Sequence, residues 1–275
     1  MTPEVGGEEI MKDISITLVQ TNLFWEDITA NLALFDTLFE TVPDDTDLLV
    51  LPEMFTTGFS LNASTLAQKM DGPAVEWMRD ASRRKQADIV GSMIIEDGGG
   101  YLNRLIWVRP AGELLYYDKR HLFRMAGEEK VYRFGEKHLT VDLRGWKLRP
   151  FVCYDLRFPV WTRNMDNVYD AAIFVANWPG PRSNHWRTLL AARAIENQAY
   201  VIGVNRVGSD NEGRVFKGDS SVFDPGGEAL AQMGSAPGTH TVRLSAETLK
   251  NYRESFPAWM DADRNMVDWG RLENN

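Results

Sequence analysis

Short apolar runs alternate along the chain with segments of helical periodicity, and this alternation limits the possible folds more than any other feature. The strand-like runs are ISITLVQ, LLVL, DIVGSMII, LRPFVC, AAIFVA and YVIGVNRV. Between them, the segment DITANLALFDTLFE places Ile28, Leu32, Phe35 and Phe39 on one helical face, and GPAVEWMRDASRRKQ begins with Pro73 at a first helical position. Buried strands that alternate with amphipathic helices predict an α/β fold.

Two segments carry turn residues between strand-like runs where a helix would otherwise stand. They are PAGE at residues 110–113 and PGG at residues 225–227, and each predicts a β-hairpin. Hairpins combined with strand–helix units predict mixed sheets. Because no linker divides the chain, we expect one domain over residues 11–275, with a tail from about residue 250, after a flexible lead-in of residues 1–10.

Charge and cysteine content narrow the class of function. The 275 residues include 30 Lys and Arg against 39 Asp and Glu, a net charge of -9 without long single-sign blocks, which disfavours nucleic-acid and membrane partners. No apolar run approaches the roughly 18 to 20 residues that span a bilayer. The N-terminal sequence lacks the pattern of a signal peptide, and the single cysteine cannot form an intramolecular disulfide. We therefore expect a cytoplasmic protein that acts on a small molecule.

Cys153 lies in FVCYDLRFP, where an apolar run ends before a proline-containing turn. Taken alone, a single cysteine is more often a small buried apolar residue. A strand end beside a cleft is also a common place for reactive side chains, but a nucleophilic thiol needs a base or a positive field. Glu53, at the end of LLVLPEMF, and Lys119, at the end of LLYYDKRHLF, are candidates for the base and the cation. Each alone could equally be an ordinary loop charge.

The segments LPEMF, YDKRHLF and VCYDLRFP, in that order, resemble the three signature segments of the nitrilase superfamily of carbon–nitrogen hydrolases. ANWP at 176–179 and ARAIENQAYV at 192–201 are also similar to family segments, so the resemblance covers most of the chain. It implies that Glu53, Lys119 and Cys153 are the catalytic residues. It also implies a four-layer α-β-β-α sandwich, and a homodimer formed through the helix after the cysteine and the helix that contains ARAIENQ.

The resemblance implies supporting roles around this triad. A second family glutamate best matches Glu128 in RMAGEEKVY, although the adjacent Glu129 would match after a shift of one residue. The backbone N–H of Tyr154 would stabilise an oxyanion together with Lys119. Candidate substrate-binding residues are Phe55, Phe123, Asn177, Trp178 and Arg182.

Longer strings, among them HLFRMAGE, CYDLRFPVWTRN and NWPGPRSNHW, are most similar to the bacterial omega-amidase branch. This branch hydrolyses the side-chain amide of 2-oxo acids such as 2-oxoglutaramate and 2-oxosuccinamate. The far carboxylate of these substrates requires an arginine or backbone donors, and Arg157 and Arg182 are the candidates. We expect Arg157 rather to pair with a nearby acid. The alternatives are an N-carbamoyl amine or amino acid amidohydrolase with the same triad, and a catalytically silent binding protein.

The four histidines are scattered and show no metal-ligand spacing, so we expect neither a metal ion nor another cofactor. They are His121, His138, His185 and His240. A metal-dependent phosphoesterase with a similar layered fold is disfavoured for the same reason. His121 lies two residues after Lys119 and could pair with a thiol, but the resemblance assigns the role of base to Glu53.

Overall fold

Two six-stranded sheets pack face to face in the computed structural model, which describes residues 11–263. The strands are β1 (Ile14–Gln20), β2 (Leu48–Val50), β3 (Asp88–Asp97), β4 (Gly100–Val108), β5 (Leu114–Asp118), β6 (Val141–Leu143), β7 (Trp146–Val152), β8 (Ala171–Ala176), β9 (Tyr200–Asn205), β10 (Val207–Ser209), β11 (Val215–Lys217), β12 (Ser221–Phe223), β13 (Ala229–Gln232) and β14 (Gly238–Leu244). The helices are α1 (Ile28–Phe39), α2 (Ala63–Leu66), α3 (Pro73–Lys85), α4 (Pro159–Thr162), α5 (Ser183–Asn197) and α6 (Ala246–Ser255).

Both sheets are mixed, as the sequence predicts. The first has the order β14-β1-β2-β3-β4-β5, in which β1, β2 and β3 are parallel. The second has the order β13-β12-β9-β8-β7-β6, in which β7, β8 and β9 are parallel. The two predicted hairpins are confirmed as the antiparallel pairs β4–β5 and β12–β13.

The central strands β1, β2 and β3 of the first sheet are buried on both faces over most of their length, and their side chains therefore alternate between two cores. Ile16 and Leu18 of β1 belong to the core between the sheets, whereas Val19 belongs to a second core under α1 and α3. Phe35 and Phe39 of α1 are buried in that second core, which confirms the predicted helical face. On the other side, α5 packs on the second sheet. The four-layer sandwich is confirmed.

Strand direction brings the polar strand-end residues of both sheets together. Glu53 follows β2, while Cys153 and Asn177 directly follow the parallel strands β7 and β8. Lys119 follows β5, which runs in the direction of β3 because both are antiparallel to β4. Carboxyl ends of parallel strands lie at one edge of a sheet, where open α/β folds place their ligand sites.

The predicted lead-in of residues 1–10 and the last part of the tail lie outside the described residues. Within them, the tail is attached to the second sheet: the Arg253 guanidinium donates to Asp170 at 2.7 Å, and the backbone N–H of Trp259 donates to Gln198 at 2.9 Å. No helix between residues 11 and 263 is long and apolar enough to cross a membrane.

Candidate active site

Cys153 begins a 3₁₀ turn directly after β7 and has a φ of 44°, in the left-handed region that non-glycine residues avoid. The Asp155 carboxylate holds this turn. It accepts hydrogen bonds from the backbone N–H of Val152 at 3.0 Å and from the Tyr117 hydroxyl at 2.7 Å. It also contacts the backbone N–H and ring Nδ1 of His121 at 2.9 and 2.8 Å. The backbone strain at the thiol is therefore maintained by a buried hydrogen-bond network.

Glu53 is fully buried beside the thiol. Its Oε1 accepts from the Lys119 ammonium at 2.9 Å and from the Asn103 side-chain amide at 2.8 Å. Its Oε2 accepts from the backbone N–H of Asn177 at 2.8 Å, and the Cys153 thiol lines the same cavity. Glu53 is thus oriented by three donors within reach of the thiol proton.

Lys119 lies between two buried carboxylates. Its Nζ is 2.9 Å from both oxygens of Glu128 and 2.9 Å from Glu53 Oε1. Burial disfavours the ammonium, but the charges of Glu128 and Glu53 outweigh it and raise the pKa of Lys119. Burial also raises the pKa of Glu128, against the opposing charge of Lys119. Glu128, and not Glu129, is therefore the glutamate of this cluster.

The surroundings of the Cys153 thiol favour its protonated form. Burial raises its pKa well above the ordinary value, the negative charge of Glu53 raises it further, and Lys119 opposes both. Formation of a nucleophilic thiolate therefore requires transfer of its proton to a nearby base, and Glu53 is the carboxylate beside it in the cavity whose charge acts most strongly on the thiol.

A cavity opens at these residues, and Glu53, Lys119 and Cys153 all line it. Its aromatic walls are Trp25, Phe59, Phe123, Tyr154, Trp178 and Phe216. Asn177 and Arg182 line it as well, so four of the five candidate substrate-binding residues face the cavity. An apolar cavity with a few convergent polar groups is the usual form of a small-molecule site.

The prediction that Phe55 lines the pocket is wrong. Phe55 is fully buried on the other side of the segment, in the core under α1 and α3, with its ring edge-on to Phe35 at 5.4 Å. The turn after β2 directs Phe59, four residues later, to the cavity instead.

Four arginines, Arg157, Arg182, Arg206 and Arg214, line the cavity. Arg214 pairs with Asp210 at 2.7 Å. Within residues 11–263, no carboxylate lies within ion-pair distance of the other three arginines.

The expectation that Arg157 pairs with an acid is therefore wrong. Its guanidinium is 3.1 Å from His185 Nδ1 and lies over the Trp178 ring at 4.6 Å. An aromatic face and a histidine occupy the positions that an acid partner would need. Arg157 keeps its positive charge uncompensated at the cavity wall.

Sequence reasoning missed three residues of this region. The only local signal for Asn103, which donates to Glu53, is that a polar residue stands inside the apolar run YLNRLIWV. The only local signal for Arg206 is a charge directly after the buried strand YVIGVN. Trp25 carried no local signal, because it reaches the cavity from the loop before α1.

This site and the two-sheet sandwich define a hydrolase of the cysteine type, and the chain matches the family model described as carbon-nitrogen hydrolase over residues 15–254. It belongs to that family. Omega-amidase YafV of Escherichia coli K12 is 49% identical over 254 residues, which cover 92% of this chain and 98% of the relative. The 2-oxoglutaramate amidase of Bacillus subtilis is 32% identical over 258 residues, with the same two coverages.

Solved structures agree with this assignment. A CN-hydrolase superfamily protein from Xanthomonas campestris, with an arsenic adduct in its active site, is 43% identical and has a TM-score of 0.91, covering 94% of this chain and 100% of that chain. Nit3 of Saccharomyces cerevisiae, a member of branch 10 of the nitrilase superfamily, is 25% identical with a TM-score of 0.82, covering 93% and 97%. The predicted membership of the nitrilase superfamily and similarity to omega-amidases are confirmed.

Proposed function

We propose that this protein hydrolyses the side-chain amide of 2-oxo acid monoamides, such as 2-oxoglutaramate and 2-oxosuccinamate, to the 2-oxo dicarboxylate and ammonia. The observation that carries the reaction is that Cys153 lines one cavity with buried Glu53 and with Lys119, whose ammonium donates to Glu53 at 2.9 Å. The similarity to Omega-amidase YafV and to 2-oxoglutaramate amidase supports the substrate class.

Acylation starts from the protonated Cys153 thiol. Glu53 takes the thiol proton while Sγ of Cys153 forms a bond to the amide carbon, and the carbonyl π electrons move to oxygen. The resulting oxyanion accepts hydrogen bonds from the Lys119 ammonium and from the backbone N–H of Tyr154. Glu128 holds Lys119 in place through both carboxylate oxygens, so that Lys119 stays charged and oriented.

Ammonia leaves when the tetrahedral intermediate collapses. The C–N bond breaks, Glu53 returns its proton to the nitrogen, and a thioester on Cys153 remains. Glu53 then takes a proton from a water that attacks the thioester carbon. The C–S bond breaks, the same proton restores the thiol, and the carboxylic acid is released.

The cavity suits an anionic substrate in an otherwise acidic protein. The chain has a net charge of -9, yet Arg157, Arg182 and Arg206 face the cavity without an acid partner among the described residues. Phe123 and Trp178 would pack against the apolar part of the substrate. A dicarboxylate monoamide offers both the amide and the negative charge that these walls require.

The assembly we propose is a homodimer formed through α4 and α5. Val160 of α4 and Ile195 of α5 are 75% and 52% exposed, and contact with a second copy would remove both apolar side chains from water. We further propose that residues 11–275 form one domain and that the protein acts in the cytoplasm, where a thiol nucleophile stays reduced.

A substrate panel tests this function. Ammonia release is measured from 2-oxoglutaramate, from an N-carbamoyl amino acid and from a simple nitrile at equal concentrations. We expect the highest kcat/KM for 2-oxoglutaramate. Preference for the N-carbamoyl compound would instead indicate the alternative amidohydrolase. If no substrate reacts and iodoacetamide labels Cys153 no faster than a buried thiol, the protein is a catalytically silent binding member.

A further inference from the structure

Arg206 is a fully buried cation in the wall of the active-site cavity. It follows β9 directly, on the strand next to β8 and Asn177. Burial lowers the pKa of Arg206 to about 10, with the charge of Asp210 acting in the opposite direction. The guanidinium is therefore still protonated at neutral pH. A buried charge of this kind is unfavourable unless an opposite charge compensates it.

The hydrogen-bond partners of Arg206 are all uncharged. Its Nε donates to the carbonyl of Val207 at 3.2 Å. Its Nη2 donates to the side chain of Asn22 at 3.0 Å and to the carbonyls of Leu23 and Ser209 at 3.2 and 3.1 Å. Among residues 11–263, Nη1 is buried and has no hydrogen-bond partner. The side chain thus has no carboxylate within ion-pair distance among the described residues, and Nη1 has no acceptor.

The surroundings of Nη1 belong to the cavity. The guanidinium lies over the ring of Phe216 at 4.7 Å, and Phe216 and Trp25 line the cavity together with Arg206. Gly58, with a φ of +70°, faces both Nη1 and Trp25, and a β-carbon there would lie 3.1 Å from Nη1. The missing side chain at Gly58 leaves room around this unpaired nitrogen.

Strand register places Arg206 within reach of a substrate attached to Cys153. Val152 of β7 pairs with Val175 of β8, and Ala176 of β8 pairs with Asn205 of β9. Cys153 follows β7 and Arg206 follows β9, so two strand spacings separate them, and Arg206 lies one residue further along its strand. These two offsets together give roughly 10 Å between the Cα atoms of Cys153 and Arg206. An extended five-carbon monoamide spans roughly 5 Å from its amide carbon to its carboxylate carbon, which the two side chains can bridge.

We propose that Nη1 of Arg206 donates to the carboxylate of the bound substrate and thereby selects 2-oxo acid monoamides over uncharged amides. The identity of the substrate rests on the proposed function. The carboxylate supplies the counter-charge and the acceptor that Arg206 lacks, in a charge-assisted hydrogen bond away from water. Arg157 and Arg182 are partly exposed and can share part of their charge with solvent, whereas Arg206 cannot.

The kinetic test compares 2-oxoglutaramate with pentanamide, an uncharged amide of the same chain length. Arg206→Met should lower kcat/KM for 2-oxoglutaramate by about 10- to 10²-fold, the usual effect of losing a hydrogen bond between charged groups. The value for pentanamide should change little. Arg243→Met is the control: Arg243 is an exposed arginine of β14 that does not line the cavity, so both substrates should be almost unaffected.

Equal losses on both substrates would show that Arg206 is only structural and would overturn the proposal. A loss specific to the charged substrate that appears in Arg157→Met or Arg182→Met, but not in Arg206→Met, would overturn it as well. Failure of the wild type to hydrolyse 2-oxoglutaramate is a different outcome, because it contradicts the proposed function. The proposed carboxylate site at Arg206 is then tested by a binding measurement.

That binding measurement uses Cys153→Ala protein titrated with 2-oxoglutarate in a calorimeter. Adding Arg206→Met should weaken binding by at least about tenfold, and unchanged affinity would overturn the proposal. If the Met variant does not fold, Arg206→Lys provides the same test. It keeps the charge but loses the fork of donors, so it should fold and still bind 2-oxoglutarate more weakly than the parent protein does.

Discussion

At the scale of single residues, Lys119 is the group on which stability and chemistry both depend, because it is the cation between the buried carboxylates of Glu53 and Glu128. Removing one partner of a buried ion pair leaves an uncompensated charge. Lys119→Met should therefore lower the free energy of unfolding by about 3–5 kcal/mol. Loss of an oxyanion donor should also lower kcat by about 10² to 10³. Urea unfolding and ammonia release measure the two effects separately.

The double variant Lys119→Met/Glu128→Gln is the control for this prediction. It removes one of the two uncompensated carboxylates, so it should be more stable than Lys119→Met alone, while its activity stays low. Equal stability of the single and double variants would contradict the buried ion cluster.

The titration of Cys153 has a defined effect on stability. Its pKa is raised in the folded protein, so folding favours the protonated thiol. This stabilising contribution is fully present below the pKa of the thiol in the unfolded chain, which is near 9. It is lost as pH rises from there through the raised pKa of the folded protein. Unfolding free energies of wild type and Cys153→Ala, measured from pH 7 upward, should thus diverge in the alkaline range, with wild type losing more. Parallel pH curves would show that the thiol is not perturbed.

At the scale of structural elements, the turn that begins at Cys153 depends on Asp155. Asp155→Ala leaves the backbone N–H groups of Val152 and His121 without their acceptor, and each unsatisfied buried donor costs about 1–3 kcal/mol. Because Asp155 also holds the strained φ of Cys153, activity should fall with stability. Tyr117→Phe removes one hydrogen bond to Asp155 and the acceptor for the Arg120 N–H and Trp161 Nε1–H groups, but it keeps the Asp155–Val152 contact, so it should lower stability and retain more activity. Similar thermal unfolding and kcat/KM for Asp155→Ala and wild type would contradict this role.

Periodicity predicted the elements well, because the pattern that defines a strand or an amphipathic helix lies within the element itself. The direction of side chains in irregular turns was not predictable in the same way. Phe55 and Phe59 lie in one turn after β2, and only tertiary packing decides which of them enters the core. The groups that surround Arg157 and Arg206 also come from segments distant in sequence. The sequence therefore did not show that neither arginine has an acid within ion-pair distance among the described residues.

At the scale of the whole molecule, three ordered motifs were enough to predict the family and to bring Glu53, Lys119 and Cys153 into one site, since the carboxyl ends of parallel strands meet at one edge. The cationic cavity was not predictable, because its arginines come from separate segments after β7, β8 and β9. Arg206 in particular becomes a candidate only when its burial and its partners are known.

The proposed dimer is tested by charge on its apolar surface. Val160→Lys together with Ile195→Lys should shift the mass measured by light scattering from dimer to monomer, because two lysines cannot be buried against a second copy without partners. Leu230→Lys is a matched control, since Leu230 is 45% exposed on β13 and lies on neither helix. A dimer that persists in the double variant would place the interface elsewhere.

The most direct test of the account is product formation from 2-oxoglutaramate by wild type and Cys153→Ala under identical conditions. We predict that the wild type releases ammonia and 2-oxoglutarate in equal amounts, and that added hydroxylamine diverts part of the product to the hydroxamate through the Cys153 thioester. Cys153→Ala should be inactive with an unchanged fold. Turnover that survives in Cys153→Ala, or a wild type that releases no ammonia from this substrate, would contradict the account.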